Sequence, residues 1–353
     1  MSALPMIRQD EEPGDGDRDA EPYLRELGLR LHPGRLPIQF SRNAQEPIHR
    51  WSPYVQGFSA EFVRATLAKY WAEYRFDAPD AALVHDPFAG SGTVLVAAKR
   101  LGVRRCGGTE LNPLLAFLAS TKLAHWTLPA HLLLEALAGL DRRARHPAPA
   151  FLQSDRQFDP PVLEQLQILR GALEGVAPPL RDLFMLAFAA ILVECSRLRR
   201  SPCLGYAPGK RTAPEAPWQL LAAKIEQIAA DLADLQRQPR ADPVALAITS
   251  PPYMNGLDYV MNYKIEMGWL GFTQSRRDAR ELKDALIACD NVSLRLTAEF
   301  ARRTDRYREP WVDDIVARIA EHVARWDEGQ VARRIPRRRK SPPVAVARPL
   351  EGG

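Results

Sequence analysis

Two short stretches carry residue types that could do chemistry together. The first is Asp86-Pro-Phe-Ala-Gly-Ser-Gly-Thr93, and the second is Thr249-Ser-Pro-Pro-Tyr253. In the first, Gly90 and Gly92 bracket Ser91 in a tight turn where main chain can approach a ligand, because glycine tolerates positive φ and has no Cβ to collide. No Lys follows the second Gly, so the phosphate-cradling loop of nucleotide hydrolases is disfavoured, and the spacing is not G-x-G-x-x-G either. Glu110 follows 24 positions after Asp86, near the interval at which an acid meets ribose hydroxyls in dinucleotide folds. In the second stretch, Pro251 and Pro252 fix φ and supply carbonyls without N–H donors. Ser250 Oγ and the Pro251 carbonyl would hold both N–H bonds of an exocyclic amine, and Tyr253 would stack on the ring that bears it. Such an amine is a poor nucleophile, so positioning it in line with an electrophile supplies much of the rate. The plain alternatives are a structural turn with a surface Glu, and a polyproline turn capping a strand.

Elements must present these turns at one edge. Ala81 to Val84 reads as a strand ending at the Asp86 loop, Ser91 to Arg100 as a helix stopped by Gly102, and Val103 to Thr109 as a second strand ending at Glu110. Asn112 and Pro113 suit N-cap and first helical position of a helix over Leu114 to Leu123. Upstream, Ser59 suits the N-cap of a helix through Phe62, Val63, Leu67 and Tyr70. Val244 to Ile248 returns to strand character and delivers Ser250 at its carboxyl end, where open α/β sheets bind ligands. The order of elements predicts the start of a doubly wound α/β sheet.

From His131 to about Gln236 the periodicity is helical, over Val162–Leu173, Leu180–Arg197 and Trp218–Leu235. Between the last two, Arg197 to Arg211 is basic, rich in turn formers and free of acids. Its cations Arg197, Arg199, Arg200, Lys210 and Arg211 are candidate nucleic-acid contacts, with a solvated loop as the alternative. Further on, Tyr263–Phe272, Arg280–Ala288, Leu296–Arg306 and Trp311–Trp326 read as helices. The organisation expected is an acidic disordered tail (1–30), a cofactor half (31–130), a helical insertion with target recognition (131–240), a half carrying the amine pocket (241–330) and a basic tail (331–353).

Composition narrows the classes. The 353 residues are 46% hydrophobic and 26% charged, with net charge +5. The acids Asp10, Glu11, Glu12, Asp15, Asp17, Asp19 and Glu21 crowd the start, so the remainder is more basic than the total and suits a polyanionic partner. No apolar run is long enough for a transmembrane helix, and the acidic start is unlike a signal peptide. Cys106, Cys195, Cys203 and Cys289 show no metal spacing and imply no disulfides, so no metal and a cytoplasmic location are expected. His85, His125 and His322 are expected in packing or surface roles.

On these residues the chain resembles the amino-group DNA methyltransferases, which make N4-methylcytosine or N6-methyladenine. His49-Arg-Trp51 through Phe58-Ser-Ala-Glu-Phe-Val63 resembles the family's N-terminal helix motif. Asp86 to Lys99 with Glu110 to Pro113 resembles its S-adenosylmethionine motifs, and Thr249 to Tyr253, continuing through Asn255, Asp258-Tyr259 and Lys264-Ile-Glu266, is similar to its catalytic motif. The resemblance implies a Rossmann-like class I sheet with a helical insertion and S-adenosyl-L-methionine as cofactor. It implies cofactor contacts from Phe58, Asp86, Pro87, Phe88, Ala89, Gly90, Ser91, Gly92, Thr93, Glu110 and Asn112, and catalytic roles for Ser250, Pro251, Pro252 and Tyr253. A DNA partner follows, with a target base flipped out of the stack and, from Ser at 250, cytosine N4 as the favoured acceptor. A third acid near the adenine would be Asp231 or Asp234. After the strand before Ser250 nothing else reads as a strand, so the last strands of the family's seven-stranded sheet are expected to be missing. Methylation of guanine N2 in RNA, and a shortened nucleic-acid binder without turnover, stay open as alternatives.

Overall fold

A computed structural model of the chain describes residues 43–54, 57–74, 83–103, 105–154, 156–200, 203–237 and 258–285. All fall within one compact unit, Pro37–Asn291. Helix α1 (Ala60–Tyr74) starts where Ser59 Oγ accepts the Phe62 amide at 3.0 Å, an N-cap bond to the third helical residue. Strand β1 (Leu83–Asp86) pairs in parallel with β2 (Arg105–Gly108), in register from Leu83 opposite Arg105 to Asp86 opposite Gly108. Helix α2 (Thr93–Arg100) crosses between them and ends at Gly102, whose φ of +91° reverses the chain. Val63, Leu67, Val84, Val94, Ala97, Ala98 and Val103 form the small core that seats α1 and α2 on this strand pair.

Helix α3 (Pro113–Leu123) opens with Asn112 Oδ1 accepting the amides of Leu114 and Leu115 at 3.0 and 3.3 Å. This is the cap and first-position proline that the sequence predicts. Helices α4 (Ala130–Ala138), α5 (Pro160–Glu174), α6 (Leu180–Cys195) and α7 (Ala216–Arg237) follow. Nine of the sixteen residues of α6 are buried, which makes it the helix around which the others pack. The second core runs from Ile48, Trp51 and Leu114 through Leu166, Phe184, Phe188 and Ile225 to Tyr263 and Trp269. Thus the helices after residue 130 share one interior with the segment that precedes α1.

Between α6 and α7 the chain forms an antiparallel hairpin, β3 (Leu198–Arg200) with β4 (Leu204–Tyr206), where the sequence shows only a turn-rich loop. Three-residue strands are too short to display a period of two. The expected helix over Tyr263–Phe272 is the shorter α9 (Lys264–Trp269), preceded by a separate short helix α8 (Tyr259–Asn262), and α10 spans Arg276–Ala285. The described residues thus combine helices with small sheets in an α/β arrangement. The expected strand Val244–Ile248, the helices over 296–306 and 311–326, and both tails lie outside the described residues.

Candidate cofactor loop and its surroundings

Strand β1 delivers Asp86 into the interior, where it is 3% exposed. Its Oδ1 accepts the Phe88 amide at 3.0 Å, and its carbonyl accepts the Thr109 amide at 3.0 Å. The Ala89 amide donates to the Thr109 carbonyl at 2.9 Å, so the turn after β1 is tied to the exit of β2. Gly90 and Gly92 take φ of +52° and +83°. Gly92 is the N-cap of α2, which is why the helix begins at Thr93 and not at Ser91. A Cβ on Gly92 would lie 3.0 Å from that of Ala119, and one on Gly108 would lie 2.6 Å from the Asp86 carbonyl. Glycine is therefore required at both by close backbone approach.

Glu110 closes the loop from the second strand. Its Oε2 accepts the Gly90 amide at 2.9 Å and its Oε1 accepts the Asn112 amide at 2.8 Å. Burial raises its carboxyl above the ordinary carboxylate range, and the amides of Asn112, Gly90 and Leu111 pull the other way. Asp86, at the end of β1, adds a smaller repulsion in the same upward direction. Leu111, next in sequence, is 53% exposed and offers apolar surface at the rim. Ser91 Oγ and Asn112 Nδ2 are buried without a partner. Pro87 and Phe88 are half-buried and Thr93 is buried. Phe58 packs on Phe62, ring centroids 5.2 Å apart, and its carbonyl accepts from Asn43.

Tyr54 is the neighbour that sequence reasoning missed. A Cβ built on Gly90 would lie 2.5 Å from its hydroxyl oxygen. The same ring stacks near Tyr259 and Tyr263, with centroids 6.0 and 6.3 Å away. Burial raises the Tyr54 phenol well above its ordinary value, and the two tyrosines and Glu110 add to this. Tyr54 therefore joins the loop to the helices that follow residue 258. The segment that carries it is anchored by Asp231 on α7. This buried carboxylate accepts from the Ile48 amide at 3.0 Å, Trp51 Nε1 at 2.9 Å and Arg50 Nε at 3.2 Å, and also pairs with Arg50 Nη2. Asp231 is thus committed to holding residues 48–51, and Asp234 pairs with Arg237. Tyr54 also lines a cavity of about 550 Å³ with Arg50, Ser52, Glu194 and Lys224.

Ser250, Pro251, Pro252 and Tyr253 lie outside the described residues. Their continuation begins at Asp258, whose Oδ1 accepts the Met261 amide at 2.9 Å and caps α8. The basic run divides into two groups. Arg200 is turned inward, 9% exposed, against Glu266 at 2.6 Å and over the Tyr263 ring at 4.5 Å. Lys210 donates to the carbonyls of Val193 and Leu198 at 2.6 and 2.9 Å. Arg197 meets the Tyr206 hydroxyl at 2.7 Å and Asp159 at 3.7 Å. Arg199 and Arg211 are exposed. His85 is exposed, His125 faces Asp182 at 3.4 Å, and His322 lies outside the described residues. No group of three or more potential metal ligands occurs among the described residues, and no described helix is long and apolar enough to cross a membrane.

The chain is similar in part to named proteins. It is 26% identical over 118 residues to the Type II methyltransferase M.AvaI of Nostoc sp., an alignment covering 29% of this chain and 23% of that protein. M.AvaI of Anabaena variabilis matches to the same extent. The Type II methyltransferase M.BsoBI of Geobacillus stearothermophilus is 36% identical over 73 residues, covering 21% of this chain and 13% of its own length. The chain spans less than a quarter of the length of these relatives. No family model and no solved structure matches. The partial identities support a relationship to Type II methyltransferases.

Proposed function

We propose that the chain is an S-adenosylmethionine-dependent methyltransferase acting on an exocyclic amine of a DNA base, cytosine N4 before adenine N6, within a Rossmann-like sheet. The observation that carries the reading is the Glu110 carboxylate. It sits at the end of β2 and is held by the amides of Gly90 and Asn112, in a chain similar in part to Type II methyltransferases. A carboxylate offers about four lone-pair positions. With two taken by backbone, the remaining pair suits vicinal ribose hydroxyls.

The residues present fit the cofactor. Gly90 and Gly92 leave the loop without side chains at its closest approach, Asp86 suits an ammonium group, and exposed Leu111 suits a flat apolar ring. When bound, S-adenosylmethionine supplies an electrophilic methyl group on a sulfonium. The chain's own work lies in positioning the acceptor. Ser250 Oγ and the Pro251 carbonyl would accept the two N–H bonds of the amine, keeping its lone pair directed at the methyl, and Tyr253 would stack on the flipped base. Tyr253 precedes Tyr259 by six residues, a reach of at most about 20 Å. The Tyr259 ring itself lies 6.0 Å from that of Tyr54, which touches the Gly90 turn. That chain length supports a meeting of both turns at one rim.

The test is methyl transfer from labelled S-adenosylmethionine to duplex DNA and to structured RNA, with nucleoside digestion of the product. Label in N4-methylcytosine, lost with Ser250→Ala, is expected. Label only in RNA guanine rejects the DNA assignment, and no transfer to either polymer rejects turnover.

A further inference from the structure

The β3–β4 hairpin presents cations that the interior does not use. Within the acid-free run from Arg197 to Arg211, Arg200 and Lys210 are spent on Glu266 and on backbone carbonyls. Arg199 is different: it is exposed and has no hydrogen-bond or ion-pair partner among the described residues. It stands directly opposite Gly205 in the strand pair, so both lie on the same outward face of the ribbon. A Cβ on Gly205 would meet nothing within 4 Å, so this face is open and its backbone can be approached closely. At the end of β4, Tyr206 is 42% exposed. The guanidinium of Arg156, an exposed residue from before α5, lies 6.0 Å from that ring and that of Arg197 lies 5.2 Å from it. Arg156 also has no ion-pair partner among the described residues.

We propose that this hairpin is a duplex-DNA contact, with Arg199 and Arg156 as its phosphate ligands and Tyr206 orienting Arg156. The proposal takes DNA as the polymer from the function proposed above and adds where it is held. A two-stranded ribbon is of a size that a DNA groove admits. Charge complementarity selects the occupant, since Arg199 stands on the bare Gly205 face and Arg156 lies against Tyr206 at the end of the same ribbon, neither with an ion-pair partner among the described residues. Arg156 belongs to no motif in the sequence and is joined to the run only by the fold.

The test is fluorescence anisotropy of the full chain with a labelled duplex, titrated between 50 and 200 mM salt. Each phosphate contact contributes about 0.9 to the slope of log affinity against log salt. Arg199→Gln and Arg156→Gln should each lower that slope by about 0.9, and the double variant by about twice as much. Arg277→Gln, an exposed position on α10 paired with Glu281 at 2.7 Å, should leave it unchanged. Equal slopes for wild type and the double variant overturn the assignment, as does an equal loss with Arg277→Gln. Binding of structured RNA but not duplex also overturns it. Calorimetry of the same variants with S-adenosylhomocysteine separates the two readings. Intact cofactor binding with unchanged DNA slopes sinks the hairpin alone, whereas absent cofactor binding with reduced slopes sinks the enzyme alone.

Discussion

The hydroxyl of Tyr54 occupies the space into which a Cβ on Gly90 would project, 2.5 Å from it. Gly90 is thus constrained twice, by its φ of +52° and by an aromatic ring held from another element. Gly90→Ala should destabilise the chain by on the order of 1–3 kcal/mol. Tyr54→Phe in the same background should restore part of the loss, since it removes the nearest atom. Urea denaturation of the four members of this cycle measures the coupling. Strict additivity would show that the two residues do not meet.

Asp231 gathers donors from residues 48, 50 and 51 across more than 170 positions of sequence. Asp231→Ala would leave the Trp51 Nε1 and Ile48 amides buried without an acceptor and Arg50 without its counter-charge. A loss on the order of 3–5 kcal/mol is expected, read as a lower urea midpoint. Asp231→Asn should cost less, because an amide oxygen still accepts.

Lys122 is buried beside the same loop, its Nζ 3.4 Å from the Ser91 carbonyl. Burial, with Lys224 adding repulsion, brings it from the ordinary 10.5 down to about 7. Between those values the unfolded chain holds a proton that the folded chain lacks. Stability should therefore rise with pH across that window and be lost as pH falls towards 7. The slope for one proton is at most about 1.4 kcal/mol per pH unit. Lys122→Met should remove this slope and raise the urea midpoint at pH 7. An unchanged slope would show that another group titrates.

How much of this was legible in sequence depends on the range of the interaction. Ser59 and Asn112-Pro113 act on amides two or three residues away, so their caps could be read directly. The long amphipathic runs likewise predict α5, α6 and α7. Boundaries shifted where backbone geometry intervened, as at Gly92, whose positive φ delays α2 to Thr93. The hairpin was invisible because Arg199, Arg200 and Gly205 lack any strand pattern, and the partners that turn Arg200 inward, the Asn262 carbonyl, the Tyr263 ring and Glu266, lie more than 60 residues away. The Gly90–Glu110 bond joins two motif residues already singled out. Tyr54 and Asp231 are tertiary partners with no local signal.

The turn after β1, closed by Glu110, is proposed above to hold S-adenosylmethionine. Isothermal calorimetry of the full chain with S-adenosylmethionine tests it most directly. A charge-assisted hydrogen bond is worth about 1.5–3 kcal/mol, so Glu110→Ala should weaken binding roughly tenfold to a hundredfold. One-to-one binding by the wild type with that loss is the expected result. No heat from the wild type, or equal affinity in the variant, would contradict it.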